Sequence, residues 1–139
     1  MLRFLAVIIL AISLTGCAGT LSTSTTTSTA VQSAQNAAQQ SLYAVGVALQ
    51  ATPGIVDALY NAAKITKDIY NSIAQGYNQA LASYQLAVKA LQAATTAGQD
   101  PNTATAYVAA LQTFLTDKTN IDNLLTAYGQ KPIGSGVTQ

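Results

Sequence analysis

The chain has 139 residues, of which 50% are hydrophobic and only 8% are charged, and its formal net charge is +1. It contains no His, no Trp and one Cys, which excludes a disulfide framework, a Cys/His metal site and any catalytic arrangement that relies on a histidine base. The chain also lacks the basic surplus that nucleic-acid binding needs, so no nucleic-acid partner is expected.

The chain starts with a short apolar segment behind one positive residue. Arg3 is followed by the run from Phe4 to Leu14, FLAVIILAISL, which is about 11 residues or roughly 16 Å as a helix. A bilayer core is about 30 Å thick, so this run alone is too short to span it. A positive start, a short apolar core and a small-residue end are typical of a secretory signal peptide. The alternative is an uncleaved membrane helix extended to Leu21.

The run ends in Leu14-Thr15-Gly16-Cys17, which includes the only cysteine. This segment resembles the lipobox of bacterial lipoproteins: Leu14 matches its large apolar position, Thr15 and Gly16 match its small positions, and Cys17 matches its anchor. The resemblance implies that residues 1–16 are a lipoprotein signal peptide that is cleaved off. It also implies that Cys17 carries a covalent diacylglycerol and an N-acyl chain such as palmitate, with no other cofactor.

Residues 17–29 comprise the cysteine for which the resemblance implies lipidation and a Ser/Thr-rich segment, AGTLSTSTTTST. Ala18, rather than Asp, follows the cysteine. By resemblance to the sorting pattern of enteric bacteria, this implies an outer-membrane lipoprotein of the cell envelope that faces the periplasm. The Ser/Thr segment has almost nothing to bury, so we predict a flexible, disordered tether. O-glycosylation of the Thr run is the alternative.

The chain then turns to Ala, Gln, Leu and Tyr, which favour helix. Thr29 and Gln32 have the spacing of a capping box, and apolar residues recur every three or four positions behind them. We predict helix 1 at about 30–51. The sequence Thr52-Pro53-Gly54 ends it, and Pro53 suits the first turn of the next helix.

The next segment predicts one long central helix from Pro53 to about Ala97. No Pro interrupts it, and an unbroken helix of this length would be roughly 65 Å long. A second start near Thr66 or a bend at Gly76 is the alternative. Its apolar residues are spaced by threes and fours: Ile65, Ile69, Ile73, Tyr77, Leu81, Tyr84, Val88 and Leu91.

A clear helix boundary follows the long helix. Gly98 suits the position just past a helix end, Asp100 suits an N-cap and Pro101 suits the first helical position. Gly129 is predicted to end the last helix, and residues 130–139 are predicted to be a flexible tail. The last helix has the most regular repeat in the chain: Leu111, Phe114, Lys118, Ile121, Leu125 and Tyr128.

These elements predict an all-α fold with a helical domain over residues 30–129. Short connections favour antiparallel neighbours, so we expect an antiparallel helical hairpin or three-helix bundle around one long central helix, with coiled-coil-like packing. A break at Gly76 would give four helices instead.

One stripe of residues is a candidate interface for a helical protein partner or a second copy of the chain. Tyr70, Tyr77, Tyr84 and Leu91 are spaced by seven, with small residues beside them. Tyrosine supplies contact area and a hydroxyl, and small neighbours allow close approach. The alternative, which the sequence favours, is that the other helices cover the stripe internally.

The sequence therefore predicts a non-enzymatic protein anchored to the membrane by lipid, which acts as a structural or interaction module. Small Ala/Gln-rich helical lipoproteins of phages and prophages are similar in composition, and this resemblance implies lysis or superinfection exclusion as an alternative. A pilotin or assembly factor for a secretion machine would need an exposed groove, and a small-ligand carrier would need a cavity. No enzymatic site or metal site is expected.

Overall fold

The computed structural model describes residues 25–135, and this part of the chain is a helical bundle that contains no β-strand. The helices are α1 (Thr25–Gln50), α2 (Thr52–Asn61), α3 (Lys67–Thr96) and α4 (Thr105–Ala127). The all-α prediction is confirmed. The prediction of a single helix over 53–97 is wrong, because α2, a break and α3 occupy that range.

The most extensive packing in the bundle is between α3 and α4, which form an antiparallel hairpin. Gly76 of α3 faces Ile121 of α4, and Tyr84 packs edge-on against Phe114, with ring centroids 5.4 Å apart. Tyr84 follows Gly76 on α3, whereas its partner Phe114 precedes Ile121 on α4. The two helices therefore run antiparallel. Gly76 lies inside α3 and does not break it.

Gly98 ends α3 in the way the sequence predicts. Its φ is +65°, and the N–H of Gln99 donates to the carbonyl of Ala94 at 2.9 Å, which is the hydrogen bond of a Schellman motif. The prediction that Asp100 caps the next helix is wrong. Its carboxylate instead accepts the N–H of Asn102 within a tight turn, so α4 begins only at Thr105.

Helix α1 packs against α3 and runs antiparallel to it. The amide Nε2 of Gln35 donates to the carbonyl of Gln99 at 2.9 Å, just past the C-terminal end of α3. Further along α1, Gly46 lies against Tyr84, which is nearer the start of α3. Two contacts in this order fix the direction of α1 on the hairpin.

The N-terminal boundaries of α1 and α2 differ from the predicted ones. Helix α1 begins at Thr25, so Thr29 lies inside the helix, and residues 25–29 are helical and not part of a tether. Thr52 belongs to α2, and Ala51 stands at the N-cap without a side-chain hydrogen bond.

The break between α2 and α3 is built without a glycine. Ala63 has a φ of +53°, and the N–H of Lys64 donates to the carbonyl of Leu59 at 2.9 Å, which ends α2. Thr66 then caps α3 by accepting the N–H of Ile69 at 3.4 Å. The alternative of a second helix start near Thr66 is therefore the arrangement found.

The core joins all four helices and part of the C-terminal segment. Ile133 is buried, and its N–H donates to Asp122 Oδ1 at 2.7 Å. Gly134 lies beside Ala48 of α1. The described part of the predicted flexible tail is therefore packed against α4 and α1. The largest fully buried side chains are Phe114, Leu49, Ile73, Ile121, Leu125, Thr52 and Pro101.

Candidate functional site

The strongest sequence signal lies outside the described residues. The predicted signal peptide (1–16), the lipobox residues Leu14, Thr15 and Gly16, and the lipidation site Cys17 all precede Thr25, where the described structure begins. Lipidation at Cys17 therefore stays a prediction.

The predicted tyrosine stripe is divided between two sites along α3. Tyr84 and Leu91 line a groove between α1 and α3, whereas Tyr70 and Tyr77 line a cavity between α2 and α3. Leu91 is only 3% exposed, so it is part of the core. The four residues do lie on one helix with a spacing of seven. However, α2 packs beside the first half of the stripe and α1 beside the second half, because the helix is broken between α2 and α3.

The groove between α1 and α3 has a volume of about 330 Å³ and no charged lining residue. Tyr43 stands at its edge and is 71% exposed, and Val47, one turn further along α1, is 50% exposed. The sequence analysis did not identify either residue. Their spacing of four, next to Leu42 in the sequence, is the signal that could have indicated a second apolar face on α1. The lining residues are Gln39, Leu42, Tyr43, Tyr84, Val88, Leu91 and Gln92.

The cavity between α2 and α3 is smaller, at about 60 Å³, which is the space of roughly two water molecules. At its rim, Tyr70 Oη donates to Asp57 Oδ1 at 2.9 Å, and this hydrogen bond to the carboxylate raises the pKa of Tyr70. The ring of Tyr60 lies 5.1 Å from that of Tyr70. The lining residues are Thr52, Pro53, Val56, Asp57, Tyr70, Ile73, Ala74 and Tyr77.

Thr52 lines this cavity but is almost completely covered. It is 1% exposed, and its Oγ1 makes no hydrogen bond to any described residue. Since Oγ1 itself is covered, the hydroxyl adds little polarity to the cavity wall. The inner wall is therefore formed by apolar groups, above all Ile73 and Val56, which are 0% and 4% exposed.

Charged interactions are sparse in the described part of the chain. Lys118 and Asp122 form the one ion pair there, with Nζ and Oδ2 2.6 Å apart. Lys64 lies in the break between α2 and α3, so it forms no ion pair with Asp68 despite the spacing of four. Among residues 25–135, no group of three or more metal-ligating side chains is brought together.

One stretch of the described chain, Ser28–Asn61, is long and apolar enough by length and composition to cross a membrane. A core helix of a soluble protein passes the same test, and Leu42, Leu49 and Val56 within this stretch are at most 5% exposed. Burial in the bundle accounts for these three residues, whereas Tyr43, Val47 and Tyr60 of the same stretch are exposed.

Comparison of the chain with protein-family models, with curated proteins and with solved structures finds no match. The case for a function therefore rests on the residues and contacts of the chain itself.

Proposed function

We propose that the protein is a lipid-anchored, non-enzymatic module that binds other proteins at the periplasmic face of a bacterial outer membrane. The observation that carries this proposal is the segment Leu14-Thr15-Gly16-Cys17, which follows a short apolar run and contains the only cysteine. Each buried CH₂ of an acyl chain contributes about 0.8 kcal/mol to membrane binding, so two or more chains on Cys17 give stable attachment.

The anchor would hold the bundle near the bilayer surface. Thr25, the first residue of α1, follows Cys17 by eight residues, and this length reaches at most about 28 Å when fully extended. Confinement of this kind raises the effective concentration of the bundle for its neighbours. The end of the bundle closest to the anchor is the one where Gln35 bonds to Gln99.

The groove between α1 and α3 supports the interaction part of the proposal. Its lining is uncharged, and no charged residue occurs from Phe4 to Val56, so charge repulsion does not oppose close packing there. The exposed Tyr43 offers a broad ring and a hydroxyl, the kind of side chain enriched at interfaces. The partner class we propose is a helical protein or a second copy of this chain.

The anchor is tested by the intact mass of the full-length protein extracted from bacterial membranes, beside that of a Cys17→Ser variant. We expect the wild-type mass to lack residues 1–16 and to gain the mass of a diacylglycerol and an acyl chain. The variant should show neither the loss of residues 1–16 nor the gain in mass. A full-length, unmodified wild-type mass would refute the lipoprotein proposal.

The interaction surface is tested separately by introducing a charge. Tyr43→Glu places a carboxylate at the edge of the groove, and Gln79→Glu places one at an exposed position of α3 that does not line it. In membranes of the native host, we expect Tyr43→Glu to lose the cross-linked species that wild type forms, while Gln79→Glu keeps it. Equal cross-linking in all three proteins would rule out the groove as the contact surface.

The same groove favours a second candidate function, an assembly factor or pilotin that holds a partner peptide. Its open form and its uncharged lining, with Val88 half-buried and Tyr43 exposed at the edge, are what such a site needs. In the Tyr43→Glu strain, this role predicts that one subunit of a secretion machine is mislocalised while its cellular amount stays unchanged. A purely structural role predicts no such mislocalisation.

A further inference from the structure

The groove between α1 and α3 lies next to a side chain that stands out from the same surface. Tyr43 is 71% exposed, and the lining residues Gln39 of α1 and Gln92 of α3 are exposed as well. The buried lining residues Leu42 and Leu91 close the groove toward the core. One face of the bundle therefore presents both a largely uncovered aromatic ring and an open recess of about 330 Å³.

The ring and the recess lie at the same level along the bundle. Tyr43 itself lines the groove, together with Tyr84 and Val88 of α3. A two-fold axis places the same surface of two copies against each other. When two parallel copies meet through this face, each Tyr43 ring therefore stands at the level of the groove of the other copy.

The distribution of charge favours a second copy over an unrelated partner. Near a two-fold axis each residue faces its own image, so a charged group there would meet a like charge, which is unfavourable. Helix α1 contains no charged residue, and no charged residue lines the groove. Lys89, which follows Val88 on α3, is exposed but does not line the groove. The face thus avoids repulsion between identical surfaces, and it offers an unrelated partner no charge pair.

The proposed anchor determines the direction in which two copies meet. Thr25, the first residue of α1, follows Cys17 by eight residues, which reach at most about 28 Å. Helix α1 has 26 residues and is about 39 Å long. An antiparallel pair standing on one bilayer would hold one of its two N-termini beyond the reach of its anchor. A parallel pair keeps both N-termini at the membrane, where confinement also raises the effective concentration.

We propose that the groove binds a second copy of this chain, in a parallel two-fold dimer in which Tyr43 of each copy enters the groove of the other. The ring contacts Val88 and Gln92 there. Val47, which is 50% exposed one turn further along α1, packs beside it. This inference rests on the anchored interaction module proposed above and names its partner.

Photo-cross-linking tests the dimer with two differently tagged copies of the full-length protein, expressed together in the native host. p-Benzoylphenylalanine replaces Tyr43 in one copy, and isolated membranes are irradiated. We expect a species of twice the monomer mass that carries both tags and whose linked peptide contains Val88 or Gln92. The same amino acid in place of Gln79, which is exposed outside the groove, should give no such species.

The other outcomes separate this dimer from the proposed function. A product that joins the Tyr43 position to a different protein would overturn the dimer and leave the interaction surface in place. The absence of any product from that position would overturn both. Neither result depends on the mass measurement that tests the anchor.

A charge pair placed across the interface tests how the two copies are arranged. Tyr43→Glu in both copies should lower the co-purification of the two tags in a neutral detergent about tenfold, because a tyrosine is lost from each half of the interface. Tyr43→Glu in one copy combined with Gln92→Lys in the other should recover part of this loss, since the lysine faces the carboxylate. Gln79→Lys in the same combination should not. Equal recovery with Gln79→Lys, or no recovery with Gln92→Lys, would contradict the proposed arrangement.

Discussion

The ring of Tyr84 lies directly over Gly46, where α1 crosses α3. A Cβ at Gly46 would stand 2.5 Å from Tyr84 Cζ and 2.9 Å from Cε2. The same ring packs edge-on against Phe114 of α4. Both α1 and α4 therefore contact the side chain of Tyr84, although these two helices have no direct backbone contact with each other.

This contact predicts that Gly46→Ala destabilises the bundle. Alanine in place of glycine would favour the helix by about 1 kcal/mol, but overpacking a tight site costs about 1–3 kcal/mol. The rigid ring of Tyr84 has to leave Phe114 to make room, so the cost should lie at the upper end of this range, about 3 kcal/mol, and the net loss should be about 2 kcal/mol. Urea denaturation of both proteins, followed by circular dichroism, measures the difference.

A matched control is Gly54→Ala in α2, because a Cβ there meets no atom within 4 Å. Only the helix propensity changes at this position, so this variant should gain about 0.5–1 kcal/mol. Truncation of the ring in Tyr84→Ala should also make Gly46→Ala harmless in the double variant. A Gly46→Ala protein as stable as the Gly54→Ala protein would show that the close approach has no energetic weight.

A second prediction concerns Ala63, whose φ of +53° is unfavourable for any residue with a Cβ. Ala63→Gly removes this strain and should raise the free energy of unfolding by about 0.5–1 kcal/mol. Ala62→Gly is the control, because Ala62 has a φ of −80° and gains nothing from glycine. If both variants shift the melting temperature in the same direction, strain at Ala63 is not the cause.

Ala63 also explains where the fold differs from the sequence prediction. Apolar spacing of three and four identified the helical regions, because burial against the hairpin requires that period. The end of α2 has no glycine or proline to mark it, and tertiary packing places an alanine in a conformation that glycine usually takes. The start of α4 was predicted too early, because Asp and Pro are typical of turns as well as of helix starts. Asp100 and Pro101 belong to a turn that precedes α4.

The candidate sites were predicted only in part. The spacing of Tyr70, Tyr77 and Tyr84 identified residues that line the cavity and the groove. Asp57 and Tyr43 were not recognised as neighbours of this stripe, because α1 and α2 reach it only through the tertiary fold. A pattern along one helix does not reveal which side chains of another helix face it.

A third prediction concerns Asp122, which joins two parts of the structure. It accepts the N–H of Ile133 at 2.7 Å and pairs with Lys118 at 2.6 Å. Asp122→Ala leaves the buried N–H of Ile133 without its partner, which costs about 1–3 kcal/mol. We expect hydrogen exchange at Ile133 to become much faster, with smaller changes inside α3.

The comparison for this variant is Lys118→Met, which removes the ion pair but keeps the carboxylate. Since Asp122 still accepts the N–H of Ile133, exchange there should remain close to the wild-type rate. Equal acceleration in both variants would mean that the ion pair, and not the hydrogen bond to the C-terminal segment, holds Ile133 in place.

Tyr107 makes the stability of the bundle sensitive to alkaline pH. The side chain is 5% exposed, and burial raises its pKa above the ordinary value of 10.0. The unfolded chain therefore loses this proton first as the pH rises, and above about pH 10 the folded state binds more protons than the unfolded state. The contribution of Tyr107 to the free energy of unfolding is complete below about pH 10 and is lost as the pH rises through the folded-state pKa.

Denaturant titrations from about pH 8 to 11 measure this effect. The free energy of unfolding should decline less steeply with pH for Tyr107→Phe than for wild type, whereas Tyr43→Phe, at an exposed position, should follow the wild-type curve. A decline of the same slope in Tyr107→Phe would assign the alkaline sensitivity to other groups.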